Sequence, residues 1–167
     1  TVMSSPDTLN WDSFIGPAPM RPFHEIYTPW NWRGWWDFGT GAFGDMACHV
    51  LDPIYRALKL EYPDAVSGSS TSFNLESAPQ AEKVRFDFPE RESIEKLKMP
   101  AVKVHWYDGG LLPDRPALLH EGESLMKDGL GGCILVGTKD TLICDCGGFN
   151  PRLLSDRVPD VEPYLRR

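Results

Sequence analysis

Residues 39–58 read GTGAFGDMACHVLDPIYRAL, and this stretch decides the fold. Its apolar side chains recur at helical spacing after the Gly-Thr-Gly break, which predicts one long helix over residues 42–58 with Thr40 as its N-cap. The apolar positions are Phe43, Met46, Ala47, Val50, Leu51, Ile54 and Leu58. Because Pro53 cannot continue a helix undisturbed, a bend is expected near residues 52–53, with Asp52 capping the second part.

On the C-terminal side of this helix the sequence becomes typical of strands, because apolar and polar residues alternate. Strands are predicted within residues 65–74, 83–88, 102–107, 134–136 and 141–144, with a hairpin turn at 137–140. Residues 111–132 are rich in Gly and Pro and are expected to form a loop with a short helical piece. One helix followed by hairpin-linked strands predicts an α+β fold, in which an open, mostly antiparallel β-sheet carries one long helix on one face.

The residues before this stretch, 1–38, are predicted to be an irregular lead-in segment, and residues 39–167 the α+β domain. Several prolines interrupt the lead-in, so only one helical turn is expected there, at residues 10–15. The segment also holds five of the six tryptophans, Trp11, Trp30, Trp32, Trp35 and Trp36. Indole rings are costly to leave in water, so we expect these five to lie against a core, a partner domain or a ligand.

The composition excludes several classes of protein. The 167 residues are 41% hydrophobic, which supports a folded core, and the formal net charge of −7 without a basic stripe argues against a nucleic-acid-binding surface. No apolar run approaches the ~20 residues of a membrane span, so none is predicted. The sequence leaves the compartment open between cytoplasm and periplasm for a soluble protein.

The residues that carry chemistry lie on the predicted helix. Asp45, His49 and Asp52 are spaced by four and three, which places all three side chains on one helical face. Two carboxylates beside an imidazole can move protons near neutral pH, because one carboxylate orients the His and the other binds a hydroxyl. The alternative is that the three are helix-cap and core groups. No further ligand is evident nearby, so no metal site is predicted.

A known family shares this arrangement. Residues 31–52, from Asn31-Trp32-Arg33-Gly34 through Asp45 to Asp52, resemble the Gfo/Idh/MocA oxidoreductases, whose C-terminal domain carries Asp-x-Gly-x-His-x-x-Asp on a helix after a glycine-rich turn. In this chain Ala47 replaces the Gly between Asp and His, which is a small change. The letters Gly-x-Gly-x-x-Gly at positions 39–44 follow no predicted strand, so they do not indicate a dinucleotide site.

The resemblance implies the C-terminal, substrate-binding domain of an NAD(P)-dependent oxidoreductase that acts on a sugar, a polyol or a sugar derivative. NAD or NADP would be bound by an N-terminal Rossmann domain, which this sequence does not contain. The resemblance makes His49 and Asp45 the catalytic acid–base residues and Asp52 a ligand of substrate hydroxyls. Arg33 and Trp36 would bind the substrate as part of the pocket lining.

Two further expectations concern partners and rival functions. The predicted sheet face carrying Arg85, Asp87, Lys103, His105 and Tyr107 is mixed polar and aromatic, which suits a homodimer or tetramer contact. One rival function within the family is an NAD-dependent glycosidase. Another, from a different class, is a non-catalytic carbohydrate-binding module whose Trp-rich loop stacks on sugar rings.

Overall fold

A computed structural model of the protein describes residues 3–94, 97–125 and 129–155. Three α-helices are present in these residues: α1 (Trp11–Ile15), α2 (Gly41–Val50) and α3 (Asp52–Leu58). The strands are β1 (Ala65–Ser70), β2 (Glu82–Phe88), β3 (Arg91–Ile94), β4 (Leu97–Met99), β5 (Val102–Tyr107), β6 (Gly132–Val136), β7 (Thr141–Asp145) and β8 (Arg152–Leu153). Single 3-10 turns occupy Asn31–Gly34 and Cys146–Gly148.

The α+β class and the antiparallel pairing are confirmed. The strands form three sheets with the orders β1-β2-β5, β3-β4 and β6-β7-β8, and every neighbouring pair is antiparallel. The chain divides into two compact units. The first comprises residues 1–48 and 62–112, and the second comprises residues 49–61 and 113–167.

In the first unit, α2 packs on one face of the β1-β2-β5 sheet. Val84 lies opposite Trp106 and Phe86 opposite Val104, so these apolar side chains share a face. The ring of Phe43 lies 6.0 Å from the ring of Phe86 and meets Trp106 edge-on at 5.3 Å. Phe43 therefore anchors α2 on the apolar face, as the alternation of residues 83–88 and 102–107 predicts.

The lead-in segment is irregular but well packed around Trp11. The Trp11 ring stacks on Phe14 at 5.2 Å and on Tyr27 at 5.8 Å, and its Nε1–H donates to the Arg21 carbonyl at 2.8 Å. The predicted helical turn is α1, where the Asn10 side chain accepts a hydrogen bond from the Ser13 N–H. Trp11 thus lies within a local aromatic core rather than in water.

In the second unit, the β6–β7 hairpin forms the centre. Its turn is closed by the Gly137 N–H donating to the Asp140 carbonyl at 2.9 Å, which confirms the predicted hairpin at residues 137–140. Ile143, only 1% exposed, packs with Leu119 and Leu154 on one side of the sheet. On β6, the Cys133 thiol donates to the Val50 carbonyl at 2.8 Å.

Three predictions about elements were wrong. The single long helix is two helices that meet at Leu51, and Leu51 rather than Asp52 is the cap of α3, because Pro53 fits the first turn and the helix begins one residue earlier. The predicted single sheet is three sheets. The helical piece expected within 111–132 is absent from the residues described there, where Gly122, Gly129 and Gly131 adopt positive φ that a helix does not allow.

Candidate functional site

The first site residue that the structure places is Asp45, on the second turn of α2. Its Oδ2 lies 3.3 Å from Nε of Arg33, which belongs to the 3-10 turn Asn31–Gly34. The side chains of Arg33 and Asp45 are 30% and 37% exposed, so the ion pair borders solvent and the carboxylate stays accessible to a ligand. The structure therefore brings together two residues that the sequence singled out for different roles.

Arg33 is held from several sides. Its Cζ lies 4.0 Å from the ring centroid of Trp30 and 4.4 Å from that of Trp32, which are cation–π distances. Its Nη1 donates to the Trp30 carbonyl at 3.4 Å. A guanidinium confined in this way has few alternative rotamers left, so its positive charge stays beside the Asp45 carboxylate. Trp30 and Trp32, which precede Arg33 in the sequence, thus hold its guanidinium in place.

The glycine-rich break explains how this turn comes so close to α2. A Cβ on Gly39 would overlap the Arg33 carbonyl oxygen and would stand 2.6 Å from its Cα and 2.7 Å from its carbonyl carbon. The Gly39 N–H donates to the Trp35 carbonyl at 2.7 Å, which closes the loop over these atoms. Only glycine allows this approach of backbone to backbone. Thr40 stands immediately before α2, where its N-cap was predicted.

Trp36 lies beyond this turn, on a segment that pairs with the β1–β2 loop. Its Nε1–H donates to the Asn74 carbonyl at 3.3 Å and its backbone N–H to the Glu76 carbonyl at 2.9 Å. The Asn74 side chain in turn accepts hydrogen bonds from the backbone N–H groups of Glu76 and Ser77, so the loop is internally braced. Trp36 is 44% exposed and keeps one part of its ring available for contact.

His49 and Asp52 lie further along the same stretch. His49 is on the last turn of α2 and is exposed, and Asp52 is the first residue of α3. The four-residue spacing on one continuous helix places Asp45 and His49 on the same face of α2. Asp52 accepts a hydrogen bond from Arg56 Nε at 3.1 Å, but with the two side chains 51% and 70% exposed this pair adds little stability.

The sequence reasoning missed Trp30 and Trp32 as partners of Arg33. Their positions three before and one before Arg33 gave a usable signal, because a 3-10 turn brings residue i close to residue i+3. Trp30 remains 68% exposed. Trp32 also lines a surface cleft of about 350 Å³ whose other walls are Phe14, Ile15, Pro17, Ala18, Asp37 and Phe38.

The described residues do not fit a bound dinucleotide. Their strand pairs are all antiparallel, whereas a dinucleotide-binding fold needs a parallel strand–helix–strand unit. The residues before Gly39 are turns rather than a strand, so the glycines at 39, 41 and 44 form no phosphate-binding loop. In the same described ranges no three His, Cys, Asp or Glu side chains are grouped to hold a metal ion. No helix within them is both long enough and apolar enough to traverse a lipid bilayer.

Comparison with known families gives one match. The family model described as the C-terminal α/β domain of an oxidoreductase family, Gfo/Idh/MocA, matches residues 1–88. This is just over half of the 167 residues and includes Arg33, Trp36, Asp45, His49 and Asp52. No curated protein matches the chain.

Proposed function

Since the chain belongs to the Gfo/Idh/MocA oxidoreductase family, we propose that it binds the substrate of an NAD- or NADP-dependent oxidoreductase acting on a sugar, a polyol or a sugar derivative. The observation that carries this proposal is that the family match covers all five candidate residues. The cofactor would be bound outside the described residues, by the N-terminal dinucleotide-binding domain that the resemblance implies. The proposal for this chain is therefore confined to binding the substrate and moving its proton.

In the proposed reaction His49 accepts the proton of the hydroxyl that is oxidised. An exposed imidazole suits this step because its ring nitrogens can both accept and donate a proton. The Asp45 carboxylate orients His49 and accepts a hydrogen bond from the reacting hydroxyl, for which its 37% exposure leaves room. Asp52 binds a further hydroxyl, and Trp36 offers its exposed ring to the apolar face of the sugar.

The first experiment asks which reaction the protein performs. The full-length protein is incubated with NAD or NADP and with glucose, myo-inositol or p-nitrophenyl glucoside. Accumulation of reduced cofactor supports the proposed dehydrogenase. Release of p-nitrophenol without net reduction of the cofactor would indicate the NAD-dependent glycosidase instead. Sugar binding with neither change would indicate a carbohydrate-binding module and would contradict the proposal.

The second experiment tests the residues. His49→Ala and Asp45→Asn should each lower kcat by about 10²–10⁴-fold, as removal of a general acid–base group does. Asp52→Asn should act mainly on KM, because it removes binding rather than proton transfer. Asp12→Asn changes an exposed carboxylate on α1 and serves as the control with unchanged kinetics. Normal turnover in His49→Ala would contradict the catalytic assignment.

We also propose that the second face of the β1-β2-β5 sheet forms a contact between copies of the protein. On this face Arg85 pairs with Asp87 at 2.8 Å, and Lys83 Nζ lies 4.9 Å from the ring centroid of Tyr107. Charges that are paired within the sheet cost less to bury than free ones. Sedimentation of the full-length protein should show a dimer or tetramer, which Tyr107→Asp should dissociate and Tyr62→Asp, at an exposed site outside the three strands, should not. A strict monomer at high concentration contradicts this contact.

A further inference from the structure

The Arg33 guanidinium already has partners within the chain. Its Nε contacts Asp45 Oδ2, its Nη1 contacts the Trp30 carbonyl, and its Cζ lies over the rings of Trp30 and Trp32. A side chain that binds substrate usually keeps its donors free for the ligand. Arg33 instead uses its charge in an ion pair with Asp45 and donates from Nη1 to the Trp30 carbonyl, and both partners belong to the first unit.

The surroundings make this arrangement a preformed one. The Arg33 backbone is in contact with Gly39, where any Cβ would collide with it, so the 3-10 turn lies directly against the residues that lead into α2. The carboxylate of Asp45 is fixed to the same α2 that begins directly after this glycine turn. Backbone and side chain of Arg33 are thus both positioned before any ligand arrives.

From this geometry we infer that Arg33 is a positioning residue: held by Trp30 and Trp32, it fixes the Asp45 carboxylate in the orientation that the substrate meets. The inference rests on the proposed function, since Asp45 must take part in the reaction for its orientation to matter. It assigns Arg33 a role other than contact with the substrate. A guanidinium is better suited to this than an ammonium, because its planar group stacks on the indole rings while its charge pairs with the carboxylate.

A double-mutant cycle on the full-length protein tests the inference, with glucose and myo-inositol as substrates and NAD or NADP as oxidant. Arg33→Gln should lower kcat about tenfold to a hundredfold with little change in KM, since misplacing a reacting group by about 1 Å costs up to about 10²-fold. In an Asp45→Asn background the same substitution should have almost no further effect. Arg33→Lys should recover part of the loss. If Arg33 had a purely structural role, Arg33→Gln would still lower kcat in the Asp45→Asn background.

Two variants guard against a general loss of folding. Trp30→Leu changes a 68% exposed side chain and should reproduce the kcat loss of Arg33→Gln in weaker form, again only when Asp45 is intact. Arg21→Lys removes the guanidinium from a second cluster of this segment, where Arg21 pairs with Asp37 beside the rings of Tyr27 and Phe38. Its effect should be additive with that of Asp45→Asn.

A second measurement does not depend on turnover. In Arg33→Gly, free guanidinium chloride at concentrations far below unfolding should bind saturably and shift the indole N–H resonances of Trp30 and Trp32. The wild type should show no such saturable shift, and Asp45→Asn should weaken the binding. Guanidinium should also restore part of the kcat of Arg33→Gly. Failure of Arg33→Gly to bind guanidinium overturns the inference even if no substrate is turned over.

The kinetic outcomes separate the two proposals. Normal kcat in both Asp45→Asn and His49→Ala would overturn the proposed function, and the inference with it. In the other case kcat is low in these variants, and Arg33→Gln raises KM both on its own and in the Asp45→Asn background. The proposed function would then still hold. That result would overturn the positioning role, because Arg33 would then contact the substrate directly.

Discussion

Gly39→Ala should destabilise the first unit by a predictable amount. The new Cβ would overlap the Arg33 carbonyl oxygen and lie 2.6 Å from its Cα, and the three atoms nearest to it are all backbone atoms of Arg33. No side chain can rotate away, so the loop must open and the 2.7 Å hydrogen bond from the Gly39 N–H to the Trp35 carbonyl must lengthen.

The magnitude follows from these two losses. Overpacking costs about 1–3 kcal/mol, and a weakened hydrogen bond adds about 0.5–1.5 kcal/mol, so the free energy of unfolding should fall by about 2–4 kcal/mol. At about 2–4 °C per kcal/mol for a chain of this size, Tm should fall by roughly 5–15 °C.

Tryptophan fluorescence is a suitable assay because all six tryptophans belong to the first unit. The matched control is Gly34→Ala, five residues away, where an added Cβ meets no atom within 4 Å. Its unfolding midpoint should stay near that of the wild type. Equal midpoints for Gly39→Ala and Gly34→Ala would refute the close approach of Gly39 to the Arg33 backbone.

Three further predictions concern the two units. Phe43→Ala should cost about 2–3 kcal/mol in urea unfolding, because it removes two ring contacts of a half-buried side chain, while Phe73→Ala, at a 68% exposed position, should change little. Burial, and then the neighbouring Asp108 carboxylate, raise the pKa of Glu82 in the folded state, so stability falls as pH rises from 4.5 through the raised pKa. Glu82→Gln should therefore raise stability at pH 7, and the gain should vanish below pH 4.5. Burial raises the pKa of the Cys133 thiol from 9.0 to about 12, so the folded state holds this proton where the unfolded chain loses it. Between pH 9.0 and about pH 12, the free energy of unfolding of the wild type should fall with rising pH. This fall should be steeper than that of the Cys133→Ala variant by up to about 1.4 kcal/mol per pH unit.

The parts of the fold that could be predicted are those with a strong local period. The strands around Phe86 and Trp106 were predictable because strict alternation over six residues is typical of a half-buried strand and fits neither a helix nor a loop. The separation into three sheets was not, because nothing local in residues 91–99 or 152–153 says which strands they pair with. The end of α2 at Val50 depends on how Pro53 is accommodated, and the sequence alone allows either neighbour to be the cap.

The candidate site shows the same limit. Helical spacing predicted that Asp45 and His49 share a face of one helix, and both lie on α2. The ion pair from Arg33 to Asp45 joins residues twelve apart across an irregular turn. This contact depends on the close packing of the Gly39 backbone against the Arg33 backbone. The sequence does not reveal that packing, because Gly39 is one of several glycines in the same stretch. The roles of these side chains in a reaction stay predictions.

The discontinuous second unit has a consequence for the order in which the protein can fold during synthesis. Residues 49–61 are synthesised before most of the first unit's sheet. The rest of their own unit, described as far as residue 155, is synthesised only after residue 112. At about 5–20 residues per second, the 43 residues from 113 to 155 take roughly 2–9 s to synthesise. During that time α3, with only seven residues, is too short to hold its helical form alone. The first unit can therefore fold while residues 49–61, which interrupt it, are still unfolded. The rate of synthesis, rather than the position of α3 in the sequence, then sets when α3 forms.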